Sequence, residues 1–178
     1  VELMNEKAQE LGMTSTHFVN PHGLDEDGHY STVSDLALMG RVALSEYPFI
    51  ASTVHTHSVT VSVAGTQKTF YSTDELLGTY RGIRGIKTGY VAGSAAFLGA
   101  CQRNGVELFT CVLGAQTSSG RFADTATLLD WAYANFKRVS VASDSWVVGV
   151  RPYAYNFAMS CAVMPIGDET AAMWPEGG

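Results

Sequence analysis

Three strand-like runs follow one another at residues 83–90, 95–102 and 106–114. The last two are joined by the sequence RNG, and Asn-Gly is one of the strongest short-range signals for a two-residue turn between antiparallel strands. The run at 120–136 comes next and repeats apolar residues at helical spacing. This succession predicts an antiparallel sheet with a helix packed on it.

Two helices and a long loop are predicted before these strands. Apolar residues recur at helical spacing over residues 1–11, and Gly12 stands where a left-handed helix cap would fall. Thr32, with an acid three residues later, is typical of a helix N-terminus, and the apolar stripe after it runs to Pro48. The intervening residues 14–31 are rich in Gly, Pro, Asp and Asn, which predicts an ordered loop. The fold class is therefore α+β, an antiparallel sheet covered by helices.

A second hairpin is predicted from alternation over residues 55–71. His55, His57 and three valines share one face of the first strand, and Gly65 marks the turn. After the helical run the pattern changes to short β-like runs. We therefore expect one domain over residues 1–138 and the start of a small β-rich unit over residues 139–178.

Composition and charge exclude several classes of protein. The chain has 178 residues, 46% of them hydrophobic, which suits a globular domain with a sizeable core. With 11 Lys plus Arg and a net charge of −6, it has no cationic excess for nucleic acid. No apolar run approaches the roughly 18 residues of a membrane-spanning helix. Because the sequence opens on Val1 inside a predicted helix, we expect further sequence upstream.

Histidines are the first candidates for a metal site. His55 and His57 could supply two ligands, but the sequence offers no obvious third. His17, His22 and His29 lie in one Gly/Asp-rich loop that lacks the ligand spacing of a calcium loop. We interpret these three as side chains that fix the loop by hydrogen bonds. The prediction is no metal and no other cofactor.

Two of the three cysteines lie in the arms of the Asn-Gly hairpin. A two-residue turn places Cys101 opposite Leu108, so that Cys111 points to the other face of the sheet. We therefore predict no disulfide between Cys101 and Cys111, and interpret both as small buried hydrophobic residues.

The segment GIKTGY sets a cation, a hydroxyl and a glycine side by side in a predicted strand. Lys87 and Gly89 should face one way, with Thr88 between them. Glycine inside a strand leaves room for a ligand or another backbone, and an ammonium beside a hydroxyl could bind a carboxylate. A lysine that deters pairing at a sheet edge is the alternative. These residues alone leave both interpretations open.

Three blocks together resemble a known family. Residues 15–44, 82–90 and 129–136 are similar, in order and approximate spacing, to the serine D-alanyl-D-alanine carboxypeptidases, which are low-molecular-mass penicillin-binding proteins. Lys-Thr-Gly is itself a motif of penicillin-binding proteins and class A β-lactamases. The resemblance implies part of the β-lactamase/transpeptidase-like fold.

The resemblance also implies roles for five residues. Lys87 would hold the active-site proton network and contact substrate, and Thr88 would bind the terminal carboxylate of a D-Ala-D-Ala stem peptide. Gly89 would give clearance, and the main-chain N–H of Tyr90 would form half of an oxyanion hole. Arg121 would help to hold the substrate carboxylate, since a guanidinium binds carboxylates with two parallel hydrogen bonds. A solvated position in the first turn of a helix is the alternative for Arg121.

The chain also departs from the family pattern. No lysine has a serine three positions before it, and no asparagine has a serine two positions before it, so neither S-x-x-K nor S-x-N occurs. We expect both motifs upstream of this chain. Asp74 stands where the family tends to have Asn, and the residues after Lys-Thr-Gly lack the usual polar groups. These smaller departures concern substrate range more than reaction class.

The resemblance implies removal of the terminal D-Ala from peptidoglycan stem peptides through an acyl-enzyme, by a serine that this chain does not contain. The chain alone should therefore be inactive. β-Lactams would be covalent inhibitors of the full-length enzyme, and its location would be extracytoplasmic, in the cell envelope. The alternatives are a β-lactamase or esterase of the same fold, and a catalytically dead module that binds the cell wall.

Overall fold

The fold is known from a computed structural model that describes residues 1–91, 93–140, 163–166 and 171–175. Groups of helices and groups of strands follow one another along the chain, which is typical of the α+β class. They are α1 (Glu2–Glu10), α2 (Val33–Glu46), α3 (Pro48–Val54), β1 (Ser58–Val63), β2 (Thr66–Tyr71), β3 (Ile83–Val91), β4 (Ser94–Arg103), β5 (Val106–Ala115), α4 (Gly120–Asn135), β6 (Phe136–Ser140), β7 (Val163–Ile166) and β8 (Ala171–Pro175).

The central sheet has the order β3-β4-β5-β7, and its neighbouring strands are antiparallel. Arg103 pairs with Val106 across a two-residue turn, in which Asn104 and Gly105 have φ of 51° and 76°. Positive φ at both positions is the type I′ geometry that suits the twist of a hairpin. The three predicted strands and the Asn-Gly turn are thus confirmed. β3 forms one edge of this sheet.

Helices cover both faces of the sheet. On one face, Phe122 and Leu129 of α4 pack with Phe97 of β4 in the largest buried cluster. On the other face, Ala37 of α2 packs with Phe109 of β5. Because both faces are covered, the middle of β4 and β5 is almost continuously apolar and buried. The predicted α+β class and the helix on the sheet are confirmed.

The cysteines of the hairpin follow from the same register. Cys101 lies opposite Leu108, and Cys111 lies opposite Leu98. Cys101 belongs to the cluster under α4, whereas Cys111 belongs to a cluster with Val33 of α2. The two thiols therefore face opposite sides of the sheet, and both are fully buried, as predicted.

The loop between α1 and α2 is held by its own side chains. Nδ1 of His17 lies 2.7 Å from the Gly28 carbonyl oxygen, and the main-chain N–H groups of Val19 and Leu24 donate to Nδ1 of His29 and His22, respectively. The interpretation of these three histidines as loop-fixing residues is confirmed.

The start of α2 is tied to the same loop. The Thr32 hydroxyl caps the helix by accepting from the main-chain N–H of Asp35. The Asp35 carboxylate in turn accepts from the hydroxyl of Thr16 and the N–H of Ser15. The predicted cap is confirmed.

One prediction about the second hairpin is wrong. β1 begins at Ser58, so His55 and His57 precede the strand, and His55 caps the short helix α3. Pro48 stands at the start of α3, where its missing N–H and fixed φ suit the first helical turn. The sequence pattern predicts only that the apolar stripe of α2 ends at this proline, and it does not predict α3. The hairpin itself is confirmed, with its turn at Gly65.

Two pairings involve the C-terminal strands. β7 pairs with β5 and so adds a fourth strand to the central sheet, and β6 pairs with β8 in a separate two-stranded sheet. The domain boundary near residue 138 stays a prediction. Among the described residues, no helix is both long and apolar enough to cross a membrane.

Candidate active site

The predicted site residues lie at the exposed end of the edge strand β3. The Lys87 side chain is exposed, and its ammonium donates to the Thr88 carbonyl oxygen at 2.6 Å. Within the described part of the chain, no carboxylate lies at ion-pair distance from this ammonium. Tyr90 is 60% exposed. An unpaired cation therefore stands at the edge of the sheet, open to an incoming anion.

Thr88 is half-buried between the exposed Lys87 and Gly89. Its hydroxyl lies 2.7 Å from the hydroxyl of Thr73, which belongs to the segment between β2 and β3. Gly89 faces Ala96 of β4, and a Cβ added to Gly89 would lie 3.6 Å from the Ala96 Cβ, with no other neighbour within 4 Å. Space in front of Gly89 is therefore available in the described structure.

Arg121 lies behind this strand, in the first turn of α4. Only 6% of the residue is exposed, and its Nη1 donates to the Gly89 carbonyl oxygen at 2.7 Å. Nη2 donates to the Ser118 hydroxyl at 3.0 Å, and the guanidinium lies 4.7 Å from the centre of the Phe122 ring. The side chain is thus a buried tie between helix and strand, and the interpretation as a solvated first-turn residue is wrong.

A buried carboxylate faces the same region. Asp74 is 6% exposed; its Oδ1 accepts from the Leu76 N–H at 2.9 Å, and its Oδ2 has no hydrogen-bond partner among the described residues. Burial raises the pKa of the Asp74 carboxyl, while hydrogen bonds from the N–H groups of Leu76 and Leu77 and the positive charge of Arg121 act in the opposite direction. The segment that carries Thr73 therefore also carries a carboxylate in an unfavourable environment.

The fold brings together all five residues that the sequence singled out. Lys87, Thr88, Gly89 and Tyr90 are consecutive in β3, and Arg121 joins them through the Gly89 carbonyl, 32 residues away in sequence. The contact of Thr73 with Thr88 was not predicted. Nor was the burial of Asp74, which the sequence marked only as a departure from the family pattern. No local signal indicates either, because both are consequences of tertiary packing.

This arrangement is suited to bind an anion. It offers an ammonium without a carboxylate partner, a hydroxyl, and a guanidinium whose five N–H donors exceed the two contacts described. Hydrogen bonds from charged donors to a carboxylate are stronger than hydrogen bonds between neutral groups. In the described part of the chain, no group of three or more His, Cys, Asp or Glu side chains is placed to hold a metal ion.

The fold is that of penicillin-binding proteins. It superimposes with a TM-score of 0.64 on penicillin-binding protein D2 of Listeria monocytogenes in its ampicillin-bound form, at 36% identity, covering 72% of this chain and 53% of that one. The D-alanyl-D-alanine carboxypeptidase DacD of Francisella tularensis has the same fold, with a TM-score of 0.78 over 98% of this chain and 55% of that one, at 20% identity.

Sequence comparison identifies the family within that class. The chain belongs to the D-alanyl-D-alanine carboxypeptidase family, peptidase family S11, whose model matches residues 1–117. It is 36% identical over 140 residues to the D-alanyl-D-alanine carboxypeptidase DacF of Bacillus subtilis, covering 77% of this chain and 36% of that protein. The chain thus spans between about a third and about half of the length of these relatives. The family resemblance on the sequence is confirmed.

Proposed function

We propose that the protein to which this chain belongs is a serine-type D-Ala-D-Ala carboxypeptidase, which removes the terminal D-Ala of peptidoglycan stem peptides. The observation that carries the proposal is the Lys-Thr-Gly strand at a sheet edge, in which Lys87 is exposed, Thr88 is half-buried and the Gly89 carbonyl accepts from Arg121. The family match over residues 1–117 supports the same reaction.

The three polar side chains would divide the work of binding the substrate. The Thr88 hydroxyl would donate to the terminal carboxylate, and the Lys87 ammonium would contact substrate and favour negative charge nearby. Arg121 would help to hold the same carboxylate, adding positive charge from behind the strand and fixing the position of Gly89. Because a carboxylate is only an acceptor, a site built from three donors selects it over an amide.

Acyl transfer would take place in front of this strand. A serine oxygen attacks the carbonyl carbon of the penultimate D-Ala, and the peptide C–N bond breaks, so that the terminal D-Ala leaves as a free amino acid after its nitrogen takes a proton. Water then cleaves the acyl-enzyme ester and frees the serine. The main-chain N–H of Tyr90 would stabilise the negative oxygen of the tetrahedral intermediates, and Lys87 would hold the proton network around them.

The nucleophile and its base are proposed to lie outside these 178 residues. None of the four lysines is preceded by serine at the third position, so no S-x-x-K pair occurs in this sequence. The chain would therefore form the substrate-binding wall of the active site. Lys87 and Thr88 can position a substrate, but they cannot form the ester.

Partners and location follow from the same proposal. The substrate would be the D-Ala-D-Ala end of a peptidoglycan stem peptide, and β-lactams would acylate the same serine in the full-length enzyme. The ampicillin-bound form of the Listeria relative supports β-lactam binding. Stem peptides lie in the cell envelope, so the protein would work outside the cytoplasm.

A fluorescent penicillin tests the proposal on the full-length protein and on the 178-residue chain. Both are incubated with the reagent, denatured and separated by electrophoresis. We expect a covalent label on the full-length protein and none on the 178-residue chain. Label on the 178-residue chain would contradict a nucleophile outside it. A full-length protein that takes no label and releases no D-Ala from a D-Ala-D-Ala peptide would support the dead binding module instead.

Lys87→Ala in the full-length protein tests the edge cation. Loss of a group that acts on charge or protons in the transition state lowers the acylation rate on the order of 100-fold. Folded stability should change little, because the side chain is exposed. Lys68→Ala is the matched control, since Lys68 is an exposed lysine in β2 of the β1–β2 hairpin. Unchanged acylation in Lys87→Ala would mean that Lys87 only protects a sheet edge.

A further inference from the structure

Neither the motif nor the family match assigns a function to the hydroxyl pair of Thr73 and Thr88. The two oxygens lie 2.7 Å apart, although the residues are 15 positions apart in sequence. The side chain of Thr73 is exposed, and an exposed hydroxyl can exchange such a bond for one to water at little cost. The contact therefore does little for stability, and its consequence is the direction in which the Thr88 proton points.

The numbers of donors and acceptors determine where the Thr88 proton points once an anion is bound. A threonine hydroxyl has one proton to donate and can accept two hydrogen bonds, whereas a carboxylate only accepts. If the Thr88 hydroxyl donates to a substrate carboxylate, it has no proton left for Thr73. The 2.7 Å contact can then persist only if Thr73 donates and Thr88 accepts.

The protein chain holds Thr73 where this bond can form. On one side, the Ser72 N–H donates to the His57 carbonyl oxygen at 2.8 Å. On the other side, Asp74 is buried and its carboxylate accepts from the Leu76 N–H. Leu77, one residue further, packs in the cluster under α4. Thr73 is thus an exposed residue between two anchored neighbours, which keeps its hydroxyl opposite Thr88.

We propose that Thr73 is a positioning residue for carboxylate recognition: its hydroxyl donates to Thr88 Oγ1, and this leaves the Thr88 proton directed at the terminal carboxylate of the substrate. The inference rests on the proposed function, in which Thr88 binds that carboxylate. The ligand is an acyl-D-alanyl substrate with a free terminal carboxylate. Thr73 acts through Thr88 and has no contact of its own with the reacting atoms.

Three variants of the full-length enzyme isolate the hydroxyl. Thr73→Val removes the donor and keeps the shape, whereas Thr73→Ser keeps the donor. Thr60→Val is the matched control, because Thr60 and Thr69 form an exposed hydroxyl pair of 2.8 Å between β1 and β2, in a different sheet from β3. Thermal unfolding followed by circular dichroism verifies that each variant is folded.

The readout compares two thioester substrates that share one acyl-D-alanyl group. The leaving group of the first carries a carboxylate, as D-Ala does, and that of the second carries an amide in its place. We expect Thr73→Val to lower kcat/KM about tenfold for the carboxylate substrate, the size of one weakened charge-assisted hydrogen bond. The kcat/KM of Thr73→Val for the amide substrate should equal that of wild type. Thr73→Ser and Thr60→Val should have wild-type kcat/KM for both substrates.

Each other outcome overturns one specific claim. If Thr73→Val behaves as wild type, or slows both substrates equally, the positioning role is wrong, and a loss shared by Thr73→Ser also contradicts it. If the wild-type enzyme cleaves neither thioester, or does not prefer the carboxylate, the proposed function is wrong, and the role of Thr73 falls with it. The wild-type rates therefore separate the two failures.

Discussion

Arg121 donates from its guanidinium to the Gly89 carbonyl oxygen at 2.7 Å and so ties the first turn of α4 to the strand that carries Lys-Thr-Gly. The donor is a buried charge, and the acceptor is the backbone of the glycine that is proposed to leave room for a ligand. Such a bond sets the position of β3 as well as the charge around it. Stability and function should therefore both depend on Arg121.

Arg121→Ala should destabilise the fold. It leaves the Gly89 carbonyl without this donor and removes a positive charge that acts favourably on the Asp74 carboxylate, which should cost about 1–3 kcal/mol of unfolding free energy. Arg121→Lys should recover part of the loss, because an ammonium can reach one acceptor but cannot reproduce the planar fork. Urea unfolding gives the values, and Thr127→Ala, at an exposed position on the same helix, is the control. Equal stability of wild type and Arg121→Ala would mean that the tie is unimportant for the fold.

Asp74 should make stability depend on pH. Burial raises its pKa above the ordinary 3.8, so the folded protein binds the proton more tightly than the unfolded chain does. This contribution to stability is complete below the unfolded pKa and is lost as the pH rises through the folded pKa. Asp74→Asn removes it, and the resemblance to the family places an amide at this position.

The measurement for Asp74 is urea unfolding of wild type and variant from pH 3 to pH 8. The stability of Asp74→Asn relative to wild type should increase with pH over the interval just above 3.8 and then level off. Glu75→Gln makes the same carboxylate-to-amide change at the neighbouring exposed residue and is the matched control. A difference between wild type and Asp74→Asn that does not change with pH would contradict the unfavourable burial of the carboxylate.

Local signals account for what the sequence predicted correctly. The Asn-Gly turn sets the register of β4 and β5, and that register alone places Cys101 and Cys111 on opposite faces. The Thr32 cap is equally local. Pro48 shows where such signals are ambiguous, because a proline both ends one helix and begins another. For that reason the sequence pattern does not predict the seven-residue α3, and it wrongly places His55 in a strand.

The site was predicted only as far as it is contiguous in sequence. Lys87 to Tyr90 form one motif, so their proximity needs no tertiary information. The bond of Arg121 to Gly89 and that of Thr73 to Thr88 join different elements, and no periodicity specifies which hydroxyl or carbonyl will meet. The motif predicted the groups that are proposed to bind the ligand, whereas the contacts that hold these groups in place could be seen only in the fold.

Gly85 should be far less tolerant of alanine than an open glycine. It lies in β3 with φ of 91°, and an added Cβ would lie 2.5 Å from the Val54 carbonyl oxygen of α3. The left-handed backbone costs about 1–2 kcal/mol for a non-glycine residue, and the clash with backbone adds to it. Gly12→Ala is the control, because its φ of 79° carries the same strain but no atom lies within 4 Å. In urea unfolding, Gly85→Ala should lose clearly more stability than Gly12→Ala, and equal losses would contradict close packing of α3 on β3.

Gly89→Ala tests whether Gly89 is needed for the ligand to approach the strand or for the stability of the fold. Gly89 does not have a positive φ, and its added Cβ would make only an ordinary contact, 3.6 Å from Ala96, so the fold should lose less than about 1 kcal/mol. The methyl group would, however, occupy the space through which the substrate is proposed to approach the strand. We expect nearly wild-type urea unfolding together with a reduction of about tenfold or more in acylation by fluorescent penicillin in the full-length protein. Wild-type acylation in Gly89→Ala would show that the substrate does not approach this point of β3. If Gly89→Ala lost clearly more than about 1 kcal/mol of unfolding free energy, Gly89 would instead have a role in packing.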